Sequence, residues 1–365
     1  MANMNVRTPI FYCDKVMHQR GKGSSIASIV TGSDLIDFTT GSIAELHDGK
    51  PLNLNKFTTK TDTNVRADHV LFTYNLGTTQ WRNNFIAILN HNMASANAKV
   101  RIFFGDSLDK VNDVNGGSAD PVLNTHEGVI ILNCGSEIRE GGTGNKLSLH
   151  VEPASDGSTI LQIKKSSDDS ELTGYRFMGI QVEGRDGGTA GTGSFSGSTD
   201  LTIGSIMVGE TYTMPVSPDL NLKRSIAYDK VKVQESLGGQ RYANTSSFGK
   251  THSDTSKSPF TLADSGNFAH SGRIAYDLNF SYLNSTDIMP DEYGQYDYDD
   301  DSFVSDVWTI TEGNMYPFIF SVDDTSTGSN AESEFLFARF NQSSLEINQV
   351  APDVFNIKLQ IEEEF

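Results

Sequence analysis

Residues 84–106 read NFIAILNHNMASANAKVRIFFGD, and the rest of the chain is organised around this stretch. Phe85–Leu89 is an unbroken apolar run, the pattern of a strand buried on both faces. Asn90–Ala98 is polar and small, which predicts a connection running over the surface. Val100, Ile102 and Phe104 then alternate with Lys99, Arg101 and Phe103, a period of two that turns one face of a strand inward. Gly105-Asp106 closes the pair with turn chemistry.

Outward from this pair the chain keeps the same grammar. Val70, Phe72, Tyr74 and Leu76 alternate before it. Val129–Leu132, Leu147–Val151, Thr159–Lys164, Tyr175–Val182 and Leu201–Glu210 supply strands after it. Near the start, Thr8-Pro9-Ile10-Phe11-Tyr12 predicts an edge strand, since proline is tolerated where a strand begins. Gly184–Asp200, GRDGGTAGTGSFSGSTD, reads as a loop too poor in apolar residues to join a core. In the second half Arg273–Leu283 alternates strictly, with Ile274, Tyr276, Leu278, Phe280 and Tyr282 on one face. Phe303–Ile310, Pro317–Val322, Phe335–Phe340, Leu345–Val350 and Val354–Ile361 are further strand candidates. A short helical turn is expected near Asp287–Tyr293, but no long capped amphipathic helix is legible.

The sequence therefore predicts an all-β protein of two β-rich domains. At 365 residues the chain exceeds what one core supports. The expected division is an arm and first strands at 1–65, a first β-domain at 66–212 and a second β-domain at 213–365. Pro215 and Pro218 mark the crossover between the last two.

Composition bounds the function. A formal net charge of -19 argues against nucleic acid, whose binding needs clustered Lys and Arg, and against adsorption to anionic membranes. Mean hydropathy is -0.35 and no window suits membrane insertion. The first residues, MANMNVRTPIFYCDK, lack the basic start and apolar core of a secretory signal. Cys13 and Cys134 make no disulfide framework or metal pattern and read as free thiols, a single disulfide between them being the alternative.

Motifs for chemistry fail on spacing. GGTGNKLS at 141–148 is not a phosphate loop, and GTGSFSG at 191–197 misses the dinucleotide fingerprint by one residue. No GxSxG turn occurs, and no pair of carboxylates can be matched across a β-fold from sequence. No catalytic residue and no cofactor is expected, so the chain reads as non-enzymatic. Two weaker sites are left. Asn90, His91 and Asn92 follow a strong strand, where the His91 ring either caps a backbone carbonyl or contacts a ligand. Asp297, Asp299, Asp300 and Asp301 in YDYDDDS are either a solvated acidic loop or part of an oxygen-ligand calcium site, without the glycine and distal glutamate of an EF-hand. Trp81, Tyr74 and Tyr175 could stack on a sugar ring, although their places on or beside strands favour core packing.

Several passages resemble virion proteins of tailed bacteriophages, those of the tail and its tip. TPIFYCDKV resembles their N-terminal arm. FIAILNHNMASANAKVRIFFGDS is similar to the core hairpin of their galactose-binding-like (jelly-roll) β-sandwich, and LTIGSIMVGETY to the segment that closes it. SLGGQRYA, GRIAYDLNFSYLNSTDI, YPFIFSVD and FARFNQSSLEINQVAPDVFNIKLQIEEEF resemble their C-terminal β-domain. The resemblance implies a structural component of the tail tip, the baseplate or a fibre-anchoring ring. It would be made in the host cytoplasm and self-associate, threefold or sixfold, against other virion tail proteins. It also implies a second role, as an adhesin binding a host surface glycan or receptor through the sandwich loops, where Asn90, His91 and Asn92 lie.

Overall fold

The computed structural model describes residues 7–21, 26–31, 35–60, 69–77, 84–105, 108, 111, 129–133, 136–141, 147–154, 157–163, 177–185, 194–228, 232–243, 251–252, 269–270, 272–290, 302–323 and 335–364. They are mostly β. The first half holds β1 (Ile10–Asp14), α1 (Lys15–Gly21), β2 (Ala27–Ile29), α2 (Ile43–Leu46), β3 (Asn55–Phe57), β4 (His69–Asn75), β5 (Asn84–His91), β6 (Ala98–Gly105), β7 (Val129–Asn133), β8 (Ser136–Gly141), β9 (Leu147–Glu152), β10 (Ser158–Ile163), β11 (Phe177–Gly184) and β12 (Leu201–Thr213). The second holds β13 (Lys223–Ala227), β14 (Val233–Glu235), β15 (Arg241–Ala243), β16 (Thr251–His252), β17 (Ala269–His270), β18 (Arg273–Leu283), α3 (Ser285–Ile288), β19 (Phe318–Ser321), β20 (Phe335–Phe340), β21 (Ile347–Ala351) and β22 (Val354–Glu363).

Two sheets carry the architecture. A twelve-stranded antiparallel sheet runs β13-β18-β22-β20-β19-β1-β12-β5-β10-β7, with β21 also on β22 and β3 also on β12. A six-stranded sheet, β2-β4-β11-β6-β9-β8, covers the first-half end of the larger one. Their facing side chains make the sandwich core: Phe72 and Tyr74 from β4, Val100 and Ile102 from β6, and Ile180 and Val182 from β11. These meet Ile86 and Ile88 from β5 and Ile206 and Val208 from β12. Each such buried side chain contributes about 1.5–3 kcal/mol, so the period-two pattern fixes the register.

A second core lies under the other end of the sheet and is built on phenylalanine. The Phe11 ring lies within 6.0 Å, centroid to centroid, of Phe303, Phe318, Phe320 and Phe340. On the opposite face of the same sheet Ile10, Tyr12, Phe85, Leu89, Met207, Ile319 and Phe337 form a third apolar layer. Strand β1 serves all of this. It pairs with β12 on one side and β19 on the other. Hydrogen bonding therefore passes from the first half of the chain to the second through an N-terminal strand, across the expected division at 212/213.

Four local expectations are corrected. Ile10–Asp14 is a central strand, buried at all five positions, because Ile10 and Tyr12 face one layer and Phe11 and Cys13 the other. Phe303–Ile310 is helical rather than extended. Its Phe303, Val307 and Ile310 follow helical spacing into the core, and Thr309 N–H donates to Val304 O at 2.9 Å, an i→i+5 bond. Tyr282 leaves the apolar face of β18: a register shift between Phe280 and Leu283 turns it outward, 79% exposed with φ +63°, and buries Leu283 instead. The glycine-rich loop contributes Phe195 to the sandwich core.

Close approach of the strands is set by Gly209 on β12. A Cβ there would stand 1.9 Å from the carbonyl oxygen of Cys13. No side chain fits at that position while β1 stays paired.

Candidate functional site

The sequence-predicted residues Asn90, His91 and Asn92 sit where β5 ends. Asn90 takes φ +52°, a conformation asparagine tolerates better than most residues, and its amide donates to the Pro51 carbonyl at 2.8 Å. His91 is 6% exposed. Met93 N–H donates to its Nδ1 at 3.4 Å, which leaves the proton on Nε2 for Thr159 Oγ1 at 2.9 Å. Burial lowers its pKa from 6.5 to about 3, so the ring is neutral. Asn92 mimics a strand residue: its Nδ2 donates to Asp200 O at 2.8 Å and its Oδ1 accepts from Thr202 N at 2.7 Å. The loop is not wholly superficial, because Met93 and Ala96 are fully buried.

Asp200 completes this knot. Its Oδ1 accepts from the Thr59 and Lys60 N–H groups at 3.1 and 3.2 Å, and its Oδ2 lies 3.1 Å from Lys56 Nζ. Burial alone would raise its pKa. The Lys60 N–H, the Lys56 ammonium, the Lys60 charge and the Thr59 N–H outweigh that and hold the carboxyl below its usual range. The structure thus brings Asn90, His91 and Asn92 together with one residue sequence reading missed. Their side chains bind Pro51, Thr59, Lys60, Thr159 and Thr202 to the end of β5.

Two further polar sets are buried. Lys15 pairs with Glu210 between the first and second cores, while Asp14 Oδ1 caps α1 through the Val16 N–H at 2.9 Å. On the outer face of the six-stranded sheet Lys99 Nζ lies 3.3 Å from Glu183 Oε1, directly across the strand pair. Neither pair is adjacent in sequence, so no spacing signal announces it. Cys13 is a free, buried thiol whose pKa is raised, first by burial and then by Asp306. Tyr74 is fully buried, edge-on to His47 at 5.6 Å.

Asp297, Asp299, Asp300 and Asp301, like Trp81, Cys134 and Tyr175, lie outside the described residues. Among the described residues no group of three His, Cys, Asp or Glu side chains could hold a metal ion, and no helix is long and apolar enough to cross a membrane.

At the surface two features stand out. One is an open groove of about 410 Å³ between β20, β21 and β22, lined by Asn341, Gln342, Ser344, Glu346, Lys358 and Gln360. The other is the β14–β15 hairpin, exposed at every strand position. Its Leu-Gly-Gly turn between short polar–apolar runs is a sequence signal that predicts a hairpin. No protein-family model matches the chain, and no curated protein is similar to it in sequence.

Proposed function

We propose that the chain is a structural, non-enzymatic component of a bacteriophage tail. In this reading it belongs to the tip, the baseplate or a fibre-anchoring ring, with a galactose-binding-like sandwich as its first part. The sequence resemblance supplies the setting. The observation that supports it best is the undivided twelve-stranded sheet, a stiff plate ending in β13, which pairs only with β18 among the described residues. An unpaired outer strand invites another chain, and assembly about a rotational axis covers such edges in every copy. The polar residues at the end of β5 fit this role, since they hold the loops to the scaffold. The test is location: labelling with an antibody to this chain, followed by electron microscopy of intact particles, is expected to mark the tail with several symmetric copies. Labelling confined to the head, or no labelling, rejects the reading.

A second reading, a virion adhesin for a host glycan, draws on the groove at β20–β22. Its amides, hydroxyls, one lysine and one glutamate suit the hydrogen-bonding demands of a sugar. Binding on a glycan array that is lost in Lys358→Ala with Asn341→Ala supports it. Binding unchanged by that pair removes the groove from consideration.

A further inference from the structure

We infer that Tyr282 is a stacking platform for a neutral sugar, one ring of a glycan whose neighbouring residue lies in the groove at β20–β22. The inference rests on the glycan reading above and adds to it an aromatic contact and the class of sugar.

Tyr282 occupies a position that the fold alone does not favour. The register shift between Phe280 and Leu283 leaves it 79% exposed and at φ +63°. Left-handed backbone is costly for an aromatic residue, and an exposed ring gains little from packing. Strain of this kind collects where a side chain is aimed at a ligand, and β-bulges re-aim side chains beside such sites. The conformation is held from the next strand, where Asn356 Oδ1 accepts from the Tyr282 N–H at 3.2 Å.

Asn356 connects this residue to the groove. Ile357, Leu359 and Ile361 point into the second core, so Asn356, Lys358 and Gln360 share the outer face of β22. Lys358 and Gln360 line the groove, and Lys358 stands two strand positions, about 7 Å, from Asn356. The groove wall is preformed. Gln342 takes the place of a paired strand between β20 and β21, its Nε2 donating to Lys358 O at 3.2 Å and its Oε1 accepting from Gln360 N–H at 2.7 Å. Among the described residues, Asn341, Glu346 and Lys358 spend no side-chain hydrogen bond or ion pair on the protein.

Chemistry selects the occupant. A pyranose has an apolar C–H face and a rim of hydroxyls, which suit an exposed aromatic ring beside a cleft of amides and hydroxyls. No apolar side chain lines the groove, so the apolar side chains of a peptide would find no seat there. One lysine and one glutamate in the groove, on a chain of net charge -19, disfavour nucleic acid and acidic sugars alike. The sugar is therefore neutral.

The experiment presents the full chain to a glycan array carrying neutral hexose oligosaccharides and their sialylated and uronic-acid counterparts. Binding to the neutral glycans is expected. Tyr282→Ala is expected to weaken it at least about tenfold, and Tyr282→Phe to lose far less. Tyr282→Gly discriminates best, since glycine suits left-handed backbone. Its binding should fall as in Tyr282→Ala while its thermal midpoint stays at or above that of wild type. A lower midpoint in Tyr282→Gly would make Tyr282 a structural residue and overturn the inference, as would a preference for the acidic glycans. Binding unchanged in Tyr282→Ala but lost in Lys358→Ala with Asn341→Ala overturns the inference and leaves the groove reading standing. Binding to no glycan rejects both.

Discussion

At position 91 an imidazole accepts from one N–H and donates to one hydroxyl in a site closed to solvent, and its basicity falls accordingly. The unfolded chain carries an ordinary imidazole near 6.5, the folded one near 3. Between these values the unfolded state binds a proton that the folded state refuses. Stability held above pH 6.5 is therefore lost as pH falls, at a slope approaching about 1.4 kcal/mol per unit. Urea midpoints of wild type and His91→Gln, followed from pH 7 to 5, are expected to diverge with wild type falling more steeply. Parallel curves would show that His91 is not held neutral. Asp200 divides differently. Its lysine partners are 43% and 49% exposed, so the ion pairs are worth little. The two backbone N–H groups matter more, at about 1 kcal/mol each. Asp200→Ala is expected to destabilise by about 2 kcal/mol and Asp200→Asn by clearly less, as read by thermal unfolding. Equal losses would assign the effect to charge. The depressed carboxyl pKa also places its contribution above the unfolded value, to be lost in strong acid as pH falls through the folded one.

Among the elements, β1 joins most of the packing with five residues. Phe11 touches four rings, and truncating a buried phenylalanine costs about 3–5 kcal/mol. Phe11→Ala is expected to fall in that range by urea denaturation. Gly209→Ala is expected to harm as much, because its methyl strikes backbone that cannot yield. A loss under 1 kcal/mol in either would mean that β1 is not seated as described. The same strand shows where sequence reading stops. Strict alternation in Tyr276–Phe280 and Ile357–Ile361 made β18 and β22 legible, since one face is buried and the other is not. IFYC carries apolar residues on both faces, which fits a central strand as well as a short edge. Only the β12 and β19 partners, about 200 and 300 residues away, decide between them. In 303–310 the apolar spacing was helical throughout, and its bulky β-formers masked it. The candidate site divides in the same way. Asn90, His91 and Asn92 were found because they follow a strong strand, whereas Asp200 joins them from across the fold.

For the whole molecule, the decisive property is that one hydrogen-bonded sheet carries both cores. If β12, β1 and β19 act as one ladder, neither half can lose its packing without exposing the strand that the other half needs. Unfolding should then be a single cooperative transition, despite a length that usually implies separable domains. The two tryptophans offer a direct probe, since Trp81 lies in the first half of the sequence and Trp308 packs 5.2 Å from Phe340 in the second core. Trp81→Phe leaves one reporter and Trp308→Phe the other. Their urea curves, each corrected to its own variant's global stability by far-ultraviolet circular dichroism, are expected to coincide in midpoint and slope. Phe11→Ala should shift both together, because β1 pairs with β12 of the first half and β19 of the second. Two separated transitions, or a Phe11→Ala shift seen only by Trp308, would mean that the halves unfold independently and that the β1–β12 pairing joins them only loosely.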